Sequence, residues 1–195
     1  MRASVGIFGG TFDPIHVGHL IVAEQARDLL HLDQVLFVPA RMPPHKVQAT
    51  ASAEQRFRMT SLAVEDNPAF AVSDLELRRE GPSYTVETLR ALRATAPTGA
   101  RHYLLLGADS ARDLEQWREH ETLLGDSTVV VLERPGVGRE AMPPSVGRHA
   151  TFLSTPRLDI SSTEIRRRVR QGGTVRYLVP VPVENYIRSE GLYRS

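Results

Sequence analysis

The stretch VGIFGGTFDPIHVGH, residues 5–19, decides the fold. It opens with the short apolar run Val5–Phe8, which two glycines end, as expected of a buried parallel strand. From His16 to about His31, apolar residues recur at helical spacing and predict an amphipathic helix. A second apolar run, Val35–Val38, predicts the next strand. Strand, helix and strand in direct succession indicate a βαβ unit.

The same alternation continues along the chain and predicts a parallel sheet with helices on both faces. Further strands are expected over Phe70–Leu77, Tyr103–Leu106, Thr128–Leu132 and Thr151–Leu153. Helices are expected after the capping boxes Ser52–Gln55 and Ser161–Glu164, from Val86 through Leu92, from Asp109 to about Arg118, and from Pro182. The Pro- and Gly-rich stretch Arg134–Gly147 is expected to be a loop. We therefore expect one α/β domain over residues 1–195, a Rossmann-like doubly wound parallel sheet whose ligands bind beyond the C-terminal ends of the strands.

The composition is that of an ordinary globular protein, with 41% hydrophobic residues and a net charge of +1. A net charge this small gives no strong electrostatic attraction to nucleic acid or to a membrane surface, so neither is expected as a partner. The absence of cysteine excludes disulfides, thiolate metal sites and a cysteine nucleophile, and it fits a cytoplasmic protein. No apolar run approaches the ~18 residues of a membrane helix. Assembly into a homo-oligomer stays open.

The glycine turn and two histidines form the candidate functional motif. Gly9–Phe12 leaves the first strand at the end where phosphates bind, and glycines let a phosphate approach backbone N–H groups. His16 and His19 lie three residues apart at the helix start, so they share a face, which we expect near solvent. Phosphate handling, a metal site completed by Asp13, or a tight turn with incidental histidines would each fit. The lack of a third clear donor at helical spacing favours phosphate handling.

Other phosphate motifs are weaker. There is no GK[ST] sequence, and Gly136–Ala141 matches GxGxxA only formally, because Pro143-Pro144 prevents the long helix that a dinucleotide fingerprint needs. Lys46 is the only lysine among 24 basic residues and lies in a Pro-Pro-His-Lys loop. Either compositional drift left it there, or it serves as a compact point charge for phosphate.

Two end motifs carry a family resemblance. GGTFDPIHVGH, with an HxGH-type motif from His16 to His19, resembles the first signature of the nucleotidylyltransferase superfamily, and the sequence of Ile160–Arg166 resembles the second. Four middle motifs make the chain similar, more narrowly, to bacterial nicotinate mononucleotide adenylyltransferases: Pro43–Lys46, Ser83–Thr85, Gly107–Asp109 followed by Trp117, and Arg134–Gly136. Phosphopantetheine adenylyltransferase shares the end motifs but is typically shorter, and the middle motifs do not suit it.

The resemblance implies that the phosphate of nicotinate mononucleotide attacks the α-phosphorus of ATP and that pyrophosphate leaves. A phosphate nucleophile is already anionic at pH 7, so the reaction needs positioning and positive charge rather than a general base. By the same resemblance, His16 and His19 would donate hydrogen bonds to the α-phosphate, and Lys46 and Arg166 would hold the β- and γ-phosphates. Mg²⁺ would arrive with the ATP phosphates, without a dedicated protein cage.

The resemblance also implies binding residues for both substrates. ATP and its phosphates would be bound by Gly9, Gly10, Thr11, Phe12, Gly107, Asp109, Ile160, Ser161, Ser162 and Thr163. The mononucleotide would be bound by Ser83, Tyr84, Thr85, Trp117, Arg118 and Arg134. In this assignment Trp117 stacks on the pyridine ring, and backbone N–H groups near Thr85 and Trp117 meet the pyridine carboxylate. Where this chain has Arg118, family members often have a second aromatic residue.

Plainer interpretations stand beside these assignments. Trp117 fits core packing, while Asp109, Thr85 and Ser161 fit helix capping. Two other function classes are a non-catalytic nucleotide-binding module and an NAD-using oxidoreductase. The histidine pair with Lys46 argues against the first class, and the missing dinucleotide fingerprint argues against the second.

Overall fold

The fold is described from a computed structural model over residues 3–43, 49–133, 139–156 and 158–194. The strands are Ser4–Gly10 (β1), Gln34–Pro39 (β2), Phe70–Val72 (β3), Arg101–Gly107 (β4), Thr128–Glu133 (β5) and Thr151–Ser154 (β6). The α-helices are Val17–Leu29 (α1), Ala53–Val64 (α2), Leu75–Arg78 (α3), Thr85–Thr95 (α4), Ala108–Arg112 (α5), His120–Asp126 (α6), Pro144–His149 (α7), Ser162–Arg170 (α8) and Val181–Ser189 (α9). Leu114–Gln116 and Arg139–Ala141 form 3₁₀ turns.

The strands form a single parallel sheet in the order β3-β2-β1-β4-β5-β6. This confirms the predicted Rossmann-like doubly wound sheet. The strand order reverses between β1 and β4, where Ile7 pairs with Leu104. Because both strands run in the same direction, their C-terminal ends open a crevice at that point, which is where ligands bind in this architecture.

The central strands bury both faces, which explains why they read as continuous apolar runs. Leu105 and Val130 belong to the core on one face of the sheet, whereas Leu104 and Val131 belong to the core on the other. All four are at most 1% exposed. The central strands β4 and β5 are therefore held firmly between two helical layers.

The predicted strand Phe70–Leu77 is wrong beyond Val72. The strand ends there, and the helix α3 follows at Leu75. The Ser73 hydroxyl oxygen accepts the Leu75 N–H at 3.2 Å. Such local side-chain bonds compete with sheet pairing and favour a helix start.

The predicted helix from Asp109 to Arg118 is also wrong. The structure has α5, then the 3₁₀ turn Leu114–Gln116, and Trp117 is extended, with φ −77° and ψ 145°. Ala111 and Leu114 are fully buried three residues apart, a spacing that an α-helix and a 3₁₀ turn both satisfy. The helix α6 that follows was not predicted.

Two further local predictions need correction. The described part of the expected loop Arg134–Gly147 contains a 3₁₀ turn and α7, whose first residue is Pro144, a position that suits proline. The capping box at Ser52 is confirmed. At α8, Ser161 caps the N–H of Glu164 at 3.2 Å, but the Glu164 carboxylate pairs instead with Arg167 and Arg168.

Candidate active site

The crevice between β1 and β4 contains two cavities. One, of about 820 Å³, extends towards α1 and α8, and the other, of about 380 Å³, extends towards α4 and the 3₁₀ turn after α5. Both are lined by Gly9, Gly10, Thr11 and Ser110, so these four residues form a shared wall. A Cβ atom built on Gly9 or on Gly107 would meet nothing within 4 Å. The ends of β1 and β4 thus leave open space in which a ligand can approach the backbone directly.

His16 and His19 form a stacked pair on the wall of the larger cavity. Their ring centroids are 3.7 Å apart with an interplanar angle of 24°. The His19 Nδ1 accepts the backbone N–H of His16 at 3.2 Å, which leaves the proton of a neutral His19 ring on Nε2. His16 is only 6% exposed, so the expectation that both imidazoles lie near solvent is wrong for His16.

Glycine at position 18 has a packing reason. A Cβ atom there would lie 3.0 Å from Nδ1 of His16. Any larger residue would therefore press on the imidazole and tilt the stacked pair. The glycine of the HxGH-type motif thus leaves room for the His16 ring at the start of α1.

The N-terminus of α8 forms the opposite wall of the larger cavity. Ile160, Ser161, Ser162, Thr163 and Arg166 all line it. The Ser162 hydroxyl donates to the carbonyl oxygen of Pro14 at 2.8 Å, and Arg166 Nη1 donates to the carbonyl oxygen of Asp13 at 2.7 Å. The two signature motifs are therefore fastened to each other across the cavity, with a helix N-terminus and a guanidinium at its edge.

Phe12 and Asp109 also line the larger cavity. The Phe12 ring lies edge-on to His19 at 5.2 Å and so backs the imidazole. Asp109 is exposed and pairs with Arg112 at 2.8 Å. It is the second residue of α5 and not its N-cap, so the capping interpretation is wrong for Asp109.

The smaller cavity is aromatic and polar. Its lining includes Ser83, Tyr84, Thr85, Trp117 and Arg118. Thr85 is the first residue of α4, and helix geometry offers its N–H no acceptor within the helix. The Trp117 N–H already donates to the carbonyl oxygen of Leu114 at 3.0 Å. Of the two backbone N–H groups expected to bind the pyridine carboxylate, that of Trp117 is therefore already used within the protein. The N–H of Thr85 is the better placed donor.

Arg118 packs against the aromatic wall of the smaller cavity. Its guanidinium carbon lies 4.8 Å from the centroid of the Tyr84 ring and its Nη1 lies 3.0 Å from the Glu87 carboxylate. The guanidinium thus covers the aromatic wall of the smaller cavity while its charge is paired with Glu87. Lys46 and Arg134, which the sequence also singles out, lie outside the described residues.

Comparison with known proteins identifies the family. Residues 7–168 match the family model described as Cytidylyltransferase-like. A relative from Thermus thermophilus named "Probable nicotinate-nucleotide adenylyltransferase" is 52% identical over 190 residues, which cover 97% of this chain and 99% of the relative. A relative of the same name from Synechococcus sp. is 46% identical, covering 97% of this chain and 94% of that one.

The chain belongs to the nicotinate-nucleotide adenylyltransferase family. Solved structures show the same fold at lower identity. The Plasmodium falciparum nicotinic acid mononucleotide adenylyltransferase complexed with NaAD superposes with a TM-score of 0.80 at 21% identity, covering 98% of each chain. The same enzyme complexed with APC gives a TM-score of 0.78 at 20% identity.

In this member of the nicotinate-nucleotide adenylyltransferase family, the structure adds a carboxyl group that the sequence analysis missed. Glu76 is 7% exposed and lines the smaller cavity. Its Oε1 accepts the Thr88 hydroxyl at 2.6 Å. Burial raises the pKa of the Glu76 carboxyl, although hydrogen bonds from Thr88 and Ser83 oppose the shift. Its apolar neighbours in sequence concealed it within an expected strand.

A second missed feature is a buried polar cluster of Asp13, Arg56 and Tyr193 under the larger cavity. All three are at most 5% exposed. In the sequence, Asp13 is indicated only as the residue that would complete a metal site. Arg56 donates to the carbonyl oxygens of Thr11, Ala40, Arg41 and Ala51 at 2.6–3.2 Å. No sequence pattern relates these positions, because their contacts join distant segments.

Neither a metal-binding cluster nor a membrane-spanning helix occurs among the described residues. Those residues contain no cluster of three or more His, Asp or Glu side chains placed to hold a metal ion. None of the helices described there is long and apolar enough to cross a bilayer.

Proposed function

We propose that the chain transfers the adenylyl group of ATP to nicotinate mononucleotide, forming nicotinic acid adenine dinucleotide and pyrophosphate in NAD biosynthesis. The observation that carries this proposal is the pair of cavities meeting at Gly9, Gly10, Thr11 and Ser110. A reaction that joins two nucleotides needs two sites that meet at the reacting phosphates. The names of the relatives support the same reaction.

The ATP phosphates would lie along the larger cavity. The His19 Nε2–H would donate to an α-phosphate oxygen, with His16 stacked beneath it at 3.7 Å. Arg166 and the N-terminus of α8 face the same space and would bind the β- and γ-phosphates. Each of these groups stabilises negative charge that grows on the transferring and leaving oxygens, which is the main task when an anion attacks a polyanion.

Thr11 lies at the junction of the two cavities. The Thr11 hydroxyl is buried and, within the described residues, has no hydrogen-bond partner. Thr11 lines both cavities, but its hydroxyl oxygen is enclosed by the protein, so it would reach a phosphate at the junction only after a change of rotamer. Lys46, outside the described residues, is still proposed to contact the β- and γ-phosphates.

A Mg²⁺ ion fits this site as part of its substrate. Mg²⁺ keeps several waters and is held by substrate phosphates with one or two carboxylates, so no protein cage is required. The larger cavity offers exposed carboxylates at Asp109 and Asp159, which would face the water shell of the ion. Bound there with ATP, Mg²⁺ supplies neutralisation of the phosphate charge. The cytoplasm, where ATP is abundant, is the expected compartment.

The smaller cavity would take the pyridine ring and its carboxylate. Trp117 and Tyr84 offer aromatic surfaces, and Arg118, although paired with Glu87, supplies guanidinium N–H groups beside them. The Thr85 N–H would donate to the carboxylate at the positive end of α4. A nicotinamide ligand replaces one acceptor oxygen with an NH₂ donor, which would face that N–H unfavourably. The cavity therefore favours the carboxylate over the amide.

The test compares kcat/KM for the two mononucleotides at saturating Mg–ATP. Losing one charge-assisted bond and leaving a donor unsatisfied together predict a preference for nicotinate of at least about 100-fold. Equal values, or a preference for the amide, would contradict the proposed carboxylate pocket.

A matched pair of variants isolates the backbone N–H. Thr85→Pro removes it at the first helical position, which tolerates proline, and Tyr84 already has the compatible φ −84° and ψ 123°. Thr85→Ala keeps the N–H. We expect Thr85→Pro to lose about tenfold or more of the preference for nicotinate and Thr85→Ala to keep most of it. The same loss in both variants would show that the side chain, not the N–H, recognises the carboxylate.

A further inference from the structure

The buried cluster of Asp13, Arg56 and Tyr193 has no part in the proposed chemistry, although it adjoins the larger cavity. Tyr193 lies 180 residues after Asp13, and its hydroxyl donates to Asp13 Oδ1 at 2.7 Å. Tyr193 is 3% exposed and Asp13 is 5% exposed. A bond between a phenol and a carboxylate this deeply buried is strong, since both groups have lost their hydration.

Asp13 connects this bond to the wall of the triphosphate site. Its carboxylate also accepts the N–H of Thr50 at 2.7 Å and the N–H of Ala51 at 3.1 Å. Its carbonyl oxygen accepts Arg166 Nη1 at 2.7 Å, and its Oδ2 lies 3.8 Å from the same nitrogen. The orientation of Asp13 thus sets both the backbone that lines the cavity at Thr50 and the guanidinium at its edge.

Tyr193 is suited to hold that orientation. Its ring packs in the core under the crevice, and its hydroxyl touches only Asp13 and the Met59 sulfur, 3.9 Å away, among the contacts of the described residues. Burial and the nearby Asp13 charge raise the pKa of the Tyr193 hydroxyl, so it stays a proton donor. A phenol has one proton, and this one is committed to Asp13.

We propose that Tyr193 is a positioning residue of the triphosphate site: through Asp13, its hydroxyl fixes Arg166 and the backbone at Thr50 and Ala51. Without the hydroxyl, the buried carboxylate loses one of its donors and has Arg166, 3.8 Å away, as its nearest cationic replacement. Arg166 would then turn from the cavity towards Asp13. The effect would fall on ATP and on the rate, and not on the mononucleotide.

The experiment uses Tyr193→Phe with Tyr186→Phe as its matched control. Tyr186 lies on α9 and packs partly buried against the same core, but its hydroxyl is outside the cluster. We expect Tyr193→Phe to lower kcat about tenfold and to raise the Kd of Mg–ATP about tenfold, with the KM of nicotinate mononucleotide changed less than about twofold. Tyr186→Phe should change each value less than about twofold.

The outcomes separate this inference from the proposed function on which it rests. If the wild-type chain formed no dinucleotide, only the proposed function would be refuted. Calorimetric titration with Mg–ATP alone would still test the role of Tyr193, because it measures ATP binding without turnover. Wild-type kcat and ATP affinity in Tyr193→Phe would overturn the positioning role. The positioning role would also be overturned if the binding of both substrates weakened equally, in proportion to the loss of folded protein measured by circular dichroism.

A second variant keeps the test decisive if Tyr193→Phe does not fold. Asp13→Asn preserves the shape of the acceptor and the packing of the Tyr193 ring while removing the charge. We expect the same signature of weaker ATP binding and slower turnover, and, where both variants fold, the double variant should be less impaired than the sum of the single ones. Unchanged ATP affinity in Asp13→Asn, or additive effects, would contradict the inference.

Discussion

At the scale of single residues, the His19 ring divides its two nitrogens between structure and chemistry. Nδ1 accepts the His16 N–H at 3.2 Å, as an N-terminal cap does, and we propose that Nε2–H donates to the ligand. Phe12 and Phe8 hold the ring edge-on at 5.2 and 6.2 Å. The ring is thus fixed before ATP arrives, so little has to reorganise when charge develops on the α-phosphate.

The variant His19→Asn separates these two functions. The amide oxygen of the asparagine side chain would keep the bond to the His16 N–H, while the Nε2–H donor is lost. We expect kcat to fall by about 10²–10³, as when one oxyanion donor is removed, with the unfolding free energy changed by less than about 0.5 kcal/mol. Steady-state pyrophosphate release and urea unfolding measure the two quantities.

The control for this variant is His120→Asn. His120 begins α6 and lines neither cavity, so kcat should stay at the wild-type value. If His19→Asn also turned over at the wild-type rate, the donor role of His19 would be refuted.

At the scale of secondary-structure elements, the start of α1 depends on a glycine that its helix propensity does not explain. Glycine in a helix costs up to about 1 kcal/mol relative to alanine. Gly18 persists there although it is buried and helical. The close approach of His16 Nδ1, at 3.0 Å from a hypothetical Cβ, accounts for it. The element is therefore weakened locally so that the histidine pair can stack.

The variant Gly18→Ala tests this compromise, and Gly125→Ala is its control. Gly125 is an exposed glycine of α6 whose Cβ would meet nothing within 4 Å, so alanine there should stabilise the chain by about 0.5–1 kcal/mol without changing kcat. Gly18→Ala should lower kcat/KM about tenfold or more and should not stabilise, because the gain in propensity is offset by the displacement of His16. Thermal melts and steady-state kinetics of both variants decide it. A stabilised, fully active Gly18→Ala would contradict the packing argument.

At the scale of the whole molecule, one buried cation joins the loops that follow β1 and β2 to the start of α2. Arg56 is 1% exposed and donates to four carbonyl oxygens in these segments. Burial lowers the pKa of its guanidinium, though Asp13 opposes the shift. Loops that carry catalytic groups are seldom rigid by themselves, and here the guanidinium supplies the rigidity.

Arg56→Met should therefore destabilise the chain strongly. Methionine fills a similar volume but leaves buried carbonyl oxygens without their donor and Asp13 without its nearby cation. We expect a loss of at least about 3 kcal/mol in the unfolding free energy. The exposed neighbour Arg58, replaced in the same way, should change it by less than about 0.5 kcal/mol. Urea unfolding of both variants gives the comparison, and similar values for the two would show that Arg56 is dispensable.

The sequence by itself determined the repeated strand–helix units, the glycine turn and the face shared by His16 and His19. These features are local. Apolar periodicity indicates which side of one element is buried, and a glycine indicates where no side chain covers the backbone. Where the pattern was ambiguous, as at Leu114, a 3₁₀ turn and a helix share the same three-residue spacing, so the prediction failed. The site residues assigned by resemblance, including Lys46 and Arg134, stay predictions.

Only the tertiary structure decided which separate segments meet. It placed the strand reversal between β1 and β4, joined the two cavities at Gly9–Thr11, and brought Tyr193 to Asp13 across 180 residues. It also buried Glu76 beside the smaller cavity. Such contacts leave no periodic trace, because a buried polar group is stabilised by whichever distant donors the fold supplies and not by its neighbours in the chain.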